Sequence, residues 1–300
     1  MRKLLCAVLT ASVLGILPLE TKAQNATWYI STYTDEMLVW DEDSETIIDR
    51  IEMNRIIPNG VQLNESKTHL YVGDGSAEYI QVVDIAAREV VDEYSLSEGD
   101  TTFRIGAFAP HPYEPKAIVF GRRHTKMVDR YSVEGPFILE YDLSKKVVTD
   151  TVPWPDGEER DRVSFRYSPD GATLYFFTND IIAVDSETYE EIDRWEISNP
   201  LEPGLGRPTF STASQTYDEP GIATNLMRMR DPVHNRTLMG IASVRLSEKE
   251  VDFYTVGPSE PVSAFAMAPD GKKAYALYTC LLYTSPSPRD RTRSRMPSSA

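Results

Sequence analysis

The chain has 300 residues, of which 46 are Asp or Glu and 31 are Lys or Arg, and its formal net charge is −15. An acidic protein of this kind is unsuited to nucleic acid, whose binding needs cationic side chains that displace phosphate counterions, and to anionic membrane surfaces. We therefore expect neither among the partners of the mature protein. The length suffices for one large β domain.

The first 23 residues are predicted to be a secretory signal peptide. Arg2 and Lys3 form a positively charged start, an apolar run covers residues 4–17, and Ala23 offers a small residue at the cleavage position. The apolar run is shorter than the roughly 20 residues that a membrane-spanning helix needs. We therefore expect a periplasmic or secreted protein with no membrane attachment after cleavage.

The C-terminal residues 280–300 differ in character from the rest of the chain. When they are back-translated, both ends of the segment resemble a sequencing-library transposon adaptor in a single reading frame. We therefore interpret them as a non-native tail and residues 24–279 as a propeller domain truncated at its C-terminal end. Cys6 and Cys280 then both lie outside the domain, so we expect no disulfide within it.

A short pattern recurs along the domain: an Asp ends an apolar run, and a second Asp follows eight residues later. The pairs are Asp41 with Asp49, Asp84 with Asp92, Asp142 with Asp150, and Asp185 with Asp193, and a degenerate fifth copy has Arg245 and Phe253. Alternating apolar residues flank a polar turn in each copy, which is typical of a β-hairpin. The first positions lie about 43, 58, 43 and 60 residues apart, and this period indicates propeller blades. We expect the carboxylates to cap backbone N–H groups of their turns.

The blades follow one another along the chain. Residues 27–54 form a first blade without its innermost strand, and the next three blades cover residues 59–96, 103–153 and 162–198. A fifth blade follows, and a sixth opens around Ala268-Pro269-Asp270-Gly271. The predicted fold is all-β: a β-propeller of four-stranded antiparallel blades, truncated after about five and a half blades.

The fourth blade carries the clearest repeat, with Ser168-Pro169-Asp170-Gly171, then Leu174-Tyr175, and an apolar strand that ends at Val184-Asp185. The pattern resembles the YVTN-type propellers. It is similar in particular to the quinoprotein amine dehydrogenase superfamily, including the β chain of quinohemoprotein amine dehydrogenase, over residues 27–279. The resemblance implies seven blades in a complete ring. It also implies that the quinone lies on a small separate subunit and haem, where present, on a third, so that this chain holds no cofactor. No cavity residue of that family is carried over to this sequence.

Two of the spacings are longer than the repeat, and the surplus residues of each include a basic segment. We predict that these residues form loops, at 121–130 in the third blade and at 199–206 and 227–236 in the fifth. Because strands alternate in direction, all belong to the face that holds the second-to-third-strand loops and the blade-to-blade loops, where binding residues commonly lie. We predict a site there for an acidic protein partner or a small anionic ligand, formed by Arg122, Arg123, His124, Lys126, Arg130, Arg228, Arg230, His234 and Arg236. The alternative is that these cations only pair with neighbouring Asp and Glu.

The sequence shows no catalytic constellation. We predict that His69 and His111 are structural, and no His or Cys spacing suits a metal site. There is no nucleophile elbow and no phosphate-binding loop. The favoured function is therefore a periplasmic or secreted binding propeller. An enzyme stays open as the alternative, because a propeller site can be assembled from single residues on different blades. It would be the propeller subunit of an amine dehydrogenase-like oxidoreductase or a lactonase-like hydrolase with its site at the axial mouth.

Overall fold

The computed structural model describes residues 26–197, 200, 203–210, 214–215, 221–258, 262–268 and 273–278. Its regular elements are β-strands, and they form six antiparallel sheets in chain order. Within these ranges no helix is long and apolar enough to cross a bilayer. The predicted signal peptide, the predicted tail and residues 269–271 of the sixth-blade turn lie outside the described residues.

The first three sheets are simple meanders. The first sheet contains β1 (Thr27–Ser31), β2 (Glu36–Asp41) and β3 (Thr46–Glu52). The second contains β4 (Asn59–Leu63), β5 (His69–Gly73), β6 (Tyr79–Asp84) and β7 (Glu89–Ser95). The third contains β8 (Thr101–Pro110), β9 (Lys116–Lys126), β10 (Tyr131–Asp142) and β11 (Val147–Thr151).

The other three sheets continue the series. The fourth contains β12 (Ser164–Tyr167), β13 (Thr173–Phe177), β14 (Ile181–Asp185) and β15 (Glu191–Trp195). In the fifth, β16 (Pro208–Phe210) and β17 (Ser214–Gln215) both pair with β18 (Ile222–Asp231), which is followed by β19 (Arg236–Arg245) and β20 (Glu250–Pro258). The sixth contains β21 (Val262–Met267) and β22 (Ala274–Tyr278).

The hydrophobic core lies between neighbouring sheets. Met37 and Val39 of the first sheet pack with Leu70 of the second, and Ile118 of the third packs with Phe176 of the fourth. Further clusters join the second sheet to the third, the fourth to the fifth, and the fifth to the sixth. Sheets that bury their faces against consecutive neighbours are the blades of a propeller, so the predicted all-β fold with four-stranded blades is confirmed.

The sixth sheet also packs against the first. The ring of Tyr275 meets the ring of Trp28 edge-on at 4.5 Å, and Lys273 forms an ion pair with Glu42. The described sheets therefore close into a circuit, in which the first sheet lacks its innermost strand and the sixth contributes two strands. A seventh blade would lie between these two sheets and replace their contact. That a complete ring has seven blades stays a prediction.

The repeated Asp residues cap their turns, as predicted. The first Asp of each pair accepts a backbone N–H from the turn that follows it. The bonds join Asp41 to Ser44 at 2.9 Å, Asp84 to Ala87 at 2.7 Å, Asp142 to Lys145 at 2.8 Å, and Asp185 to Thr188 at 2.9 Å. Turn geometry thus explains why the first Asp recurs in each copy of the pattern, and no catalytic role is needed to explain it.

Candidate functional site

The surplus residues of the third sheet form an extension of two strands, where the sequence predicted a loop. β9 continues to Lys126 and β10 begins at Tyr131. The strands stay paired, with His124 opposite Val133, and β8 runs beside them, with Thr102 opposite His124. A bond from the Met127 N–H to the Arg130 carbonyl at 2.8 Å closes the turn. We call residues 121–137 the third-sheet hairpin.

The third-sheet hairpin rises well beyond the turn of the next blade. β10 has 12 residues, whereas β14, its counterpart in the fourth sheet, has 5. At about 3.3 Å per residue, the difference carries the tip roughly 20 Å further than the turn at residues 178–180. The hairpin therefore projects beyond the corresponding turn of the fourth sheet.

Side chains of the third-sheet hairpin divide between two faces. Side chains opposite each other in a ladder share a face, and successive ones alternate. His124 and Lys126 therefore lie on the face that carries Tyr131 and Val133, which are 63% and 54% exposed. Arg123 lies on the other face, where its guanidinium is 4.9 Å from the ring centre of Phe137.

The cations of the hairpin differ in their partners. Arg122 forms an ion pair with Asp161 at 2.5 Å. Arg130 lies 4.0 Å from Asp129, and both side chains are largely exposed, so this pair contributes little. Within the part of the chain that the structure describes, the side chains of His124 and Lys126 make no hydrogen bond or ion pair. The tip therefore presents positive charge to solvent.

The second basic segment is also a hairpin, formed by β18, β19 and the turn at residues 231–236. Asp231 begins this turn, is buried, and accepts bonds from His234 Nδ1 and Arg236 Nε, both at 2.9 Å. Burial opposes ionisation of Asp231, but the bonds from Arg236 and His234 outweigh burial and lower its pKa to about 2. Both predicted site residues are therefore held by Asp231 within the turn.

Arg228 and Arg230 do not face the third-sheet hairpin. Met227 and Met229 are buried in the cluster shared with the fourth sheet, so alternation along β18 directs the two Arg residues to the opposite face. The Arg230 guanidinium donates to Asn235 Oδ1. The nine predicted residues thus do not form one basic patch. The structure groups five of them on the third-sheet hairpin: Arg122, Arg123, His124, Lys126 and Arg130.

The remaining predicted surplus, at residues 199–206, is only partly described. Residues 199, 201 and 202 lie outside the described ranges. Gly206 lies beside the second hairpin, where its N–H donates to the Arg230 carbonyl at 2.7 Å. This segment therefore adds no cation to the third-sheet hairpin.

His69 and His111 have the contacts of structural residues, as predicted. The His69 ring lies 3.7 Å from a carboxylate oxygen of Asp84. The Nδ1 atom of His111 accepts the Glu114 N–H at 2.9 Å, and its ring packs edge-on against Tyr167 at 4.8 Å. Burial lowers the pKa of His111, which favours its neutral form.

A cavity of about 470 Å³ is lined by residues of the innermost strands β4, β8, β12 and β21. Because innermost strands surround the axis of a propeller, we call it the axial cavity. Parts of β5 and β6 also line it, and so do Trp28 and Tyr29 of β1, because the first sheet has no innermost strand among the described residues. Arg166 is 8% exposed and borders both this cavity and a smaller one beside His111. Sequence reasoning missed Arg166. The available signal was a lone Arg between two aromatic residues in an innermost strand, at Phe165-Arg166-Tyr167.

The described residues contain no group of three or more His, Cys, Asp and Glu side chains that could hold a metal ion. Models of known protein families give no match to the chain, and curated proteins give none. Among solved structures, the chain is similar to hydrazine synthase from Kuenenia stuttgartiensis. The TM-score is 0.53, with 13% identity over 83% of this chain and 70% of that chain. At this identity the likeness supports the all-β propeller fold alone.

Proposed function

We propose that this chain is a periplasmic or secreted, non-catalytic binding propeller that holds an acidic protein partner on its third-sheet hairpin. One observation carries the proposal: an exposed apolar tip lies beside the exposed cations Lys126 and Arg130 in a chain whose net charge is −15. The location is part of the proposal and is supported by the signal-peptide pattern of residues 1–23.

The apolar character of the tip favours a protein over a small anion. Met127 and Val128 are 46% and 107% exposed, and Tyr131 and Val133 lie beside them with more than half of their surface in solvent. Clusters of this kind mark interaction surfaces, and Tyr, Met and Arg are enriched at the centres of interfaces. A small anion would use the cations and leave these four side chains in water.

The charge of the tip favours an acidic partner. Lys126 and Arg130 are exposed beside the apolar residues, and the exposed Arg123 guanidinium lies on the opposite face. Cations at the rim of an interface attract an acidic surface and speed its association, and they repel basic competitors. The pairing of Arg122 with Asp161 leaves this arrangement in place, because that pair lies nearer the base of the hairpin.

The resemblance to amine dehydrogenase propellers suggests a second candidate, in which the partner is a subunit that carries a redox cofactor. The same surface favours it, because in that family the propeller chain supplies mainly docking surface. The lactonase-like alternative has no comparable support among the described residues. The axial cavity is lined mainly by apolar and aromatic side chains, with Asp74 and Arg166 as its charged members.

A binding experiment with a defined peptide tests the proposal. The probe is a fluorescent eight-residue peptide of alternating Glu and Val, and its affinity is measured by anisotropy. In the hairpin variant Lys126→Glu/Arg130→Glu, we expect affinity to fall by about tenfold or more. The control Arg50→Glu/Lys145→Glu makes the same change in net charge at exposed positions away from the hairpin. Equal affinity in the two variants, or no saturable binding to the unmodified protein, would refute the proposal.

A further inference from the structure

The third-sheet hairpin has a strand edge with no neighbour. β10 pairs with β9 over most of its length, but β11 pairs with β10 only at residues 139–142. Among the described residues, no strand lies beside residues 131–137 on the outer side. The edge is part of a paired, three-stranded extension, so it is held in extended conformation before any partner arrives.

The direction of the free backbone groups follows from the turn. Bonded and non-bonded pairs alternate along an antiparallel ladder. The Met127 N–H bonds the Arg130 carbonyl, so the next pair, Lys126 with Tyr131, is a non-bonded pair. Tyr131 and Val133 therefore direct their N–H and C=O groups away from β9, toward the open edge. These are the groups that an added strand would use.

Most exposed strand edges are protected by bulges, prolines or charges, because an open edge recruits other strands. In β10 the protection lies toward the base, where the register shifts between Glu134 and Phe137 across Gly135 and Pro136. Residues 131–134 lie beyond this bulge, nearer the tip. Tyr131 and Val133 are also residue types that favour strands. The tip is thus the unprotected part of the edge.

We propose that the partner binds as an extended acidic segment that adds one strand to the outer edge of β10 at Tyr131 and Val133. This inference rests on the proposed function and specifies how the partner binds. Backbone bonds to the two residues would give the segment its register. In an alternating segment, the apolar side chains would pack on the exposed Tyr131 and Val133, and the acidic ones would lie on the other face with Arg123. Lys126 and Arg130 near the tip add to the positive potential that attracts the acidic segment.

Charge argues against a second copy of this chain as the added strand. The third-sheet hairpin contains Arg122, Arg123, Lys126 and Arg130 against Asp129 and Glu134. Two copies placed edge to edge would bring two cationic hairpins together, and like charges are unfavourable across an interface. An acidic segment meets the same hairpin with complementary charge. A different protein is therefore the occupant that the surface fits.

Two changes test strand addition, one in the probe and one in the protein. In a second Glu/Val peptide, two adjacent central residues are N-methylated, so that both of its edges lose a donor. We expect this peptide to bind about tenfold more weakly than the unmethylated one. In the protein, Val133→Pro removes an outward N–H and leaves the bonds of Ser132 and Glu134 to β9, and prolines are tolerated at such edge positions. We expect Val133→Pro to weaken binding about tenfold and Val133→Ala less than about threefold.

The outcomes separate the two proposals. If both peptides bind equally well, or if Val133→Pro matches Val133→Ala, strand addition is wrong, and a loss in Lys126→Glu/Arg130→Glu would still support the docking surface. If the charge variant keeps full affinity, both proposals fail. If light scattering shows a dimer that Val133→Pro dissolves and the peptide does not bind, a second copy is the occupant and the inference is overturned. Unchanged circular dichroism and thermal unfolding of Val133→Pro establish that the variant is folded.

Discussion

Arg88 of the second sheet reaches across to the first, where its Nη1 donates to the carboxylate of Asp49 at 2.8 Å. Arg88 occupies a turn position with φ of 56°, and Asp49 is the second Asp of the preceding pair. The same relation joins Lys146 to Asp92 at 2.5 Å and Lys249 to Asp193 at 2.6 Å. The first Asp of each repeat therefore caps its own turn, and at three of the four copies the second Asp receives a cation from the next sheet.

The fourth sheet uses a different residue at the same turn position. Tyr189 has φ of 57°, and its hydroxyl donates to the Glu140 carboxylate of the third sheet at 2.5 Å. Burial, followed by the hydrogen bond to Glu140, raises the pKa of Tyr189. A turn residue thus links neighbouring sheets whether it is a cation or a phenol.

Removal of an inter-sheet cation should destabilise the protein slightly. The side chains of Lys146 and Asp92 are 48% and 36% exposed, so solvent screens much of their attraction. We expect Lys146→Met to lower the free energy of unfolding by about 0.5 kcal/mol. Urea unfolding of Lys146→Met, Asp92→Asn and the double variant measures the coupling, which should shrink in about 0.5 M salt. Lys145→Met is the control, since Lys145 pairs with Asp142 in its own turn. A coupling energy of zero would show that the pair does not join the sheets energetically.

Asp74 should make stability depend on pH in the acid range. Its buried carboxylate accepts N–H bonds from Ser76, Glu78 and Tyr79 at 3.0, 2.9 and 3.0 Å. Burial raises the pKa of Asp74, but its hydrogen bonds, led by the Ser76 hydroxyl, outweigh burial and hold the pKa below its ordinary value. Because the folded pKa is depressed, this stabilisation is fully present above the unfolded pKa of about 3.9 and is lost as pH falls through the folded value.

The variant Asp74→Asn tests this account, because it keeps the shape of the side chain and removes the charge. We expect it to be about 1–3 kcal/mol less stable than the unmodified protein at pH 7. We also expect the free energy of unfolding to change less steeply between neutral pH and the acid range. Urea unfolding across that range measures both quantities. Parallel pH profiles for the two proteins would show that Asp74 is not responsible for the dependence.

Gly121 should tolerate no side chain at the base of the third-sheet hairpin. A Cβ atom there would meet the backbone oxygen of Arg104 and the ring of Phe103. The oxygen belongs to a paired strand, so it cannot move without disturbing the ladder between β8 and β9. We expect Gly121→Ala to cost about 1–3 kcal/mol in unfolding free energy and to weaken binding of the Glu/Val peptide. Unchanged stability and affinity would show that the base of the hairpin adapts.

The core between the third and fourth sheets should be sensitive to truncation. Phe176 is fully buried, and its ring meets Phe165 edge-on at 5.0 Å. We expect Phe176→Ala to cost about 3–5 kcal/mol, because a large cavity is left in a packed cluster. Ile192→Ala is the control in the same sheet, since Ile192 is 59% exposed and its loss should cost less than about 0.5 kcal/mol. Similar losses in both variants would contradict the described packing.

The hairpins and their caps could be predicted from sequence because both depend on local geometry. Each Asp turn fixes its own hydrogen bonds within a few residues. The long spacings were harder to interpret, because a surplus of residues does not reveal whether the strands stay paired. For the fifth sheet the sequence does indicate paired strands, since Met227-Arg228-Met229-Arg230 alternates like a strand with one buried face. The prediction of a loop there was wrong, because these residues belong to a paired strand.

The features that could not be predicted depend on how sheets meet. Arg123 and His124 are adjacent in sequence but lie on opposite faces of the hairpin, and only the register with β10 shows which face carries Tyr131. The position of Arg166 beside the axial cavity likewise depends on strands from several sheets that converge there. Neither arrangement leaves a pattern in any one stretch of sequence.

Hydrogen–deuterium exchange with and without the unmethylated Glu/Val peptide locates the binding surface and so tests docking on the third-sheet hairpin. We expect the peptide to slow exchange at residues 126–134, most of all at the amides of Tyr131 and Val133, and to leave exchange in the innermost strands unchanged. Slower exchange at residues 60–63 and 105–108, which line the axial cavity, would contradict this expectation, and so would unchanged exchange throughout the third-sheet hairpin.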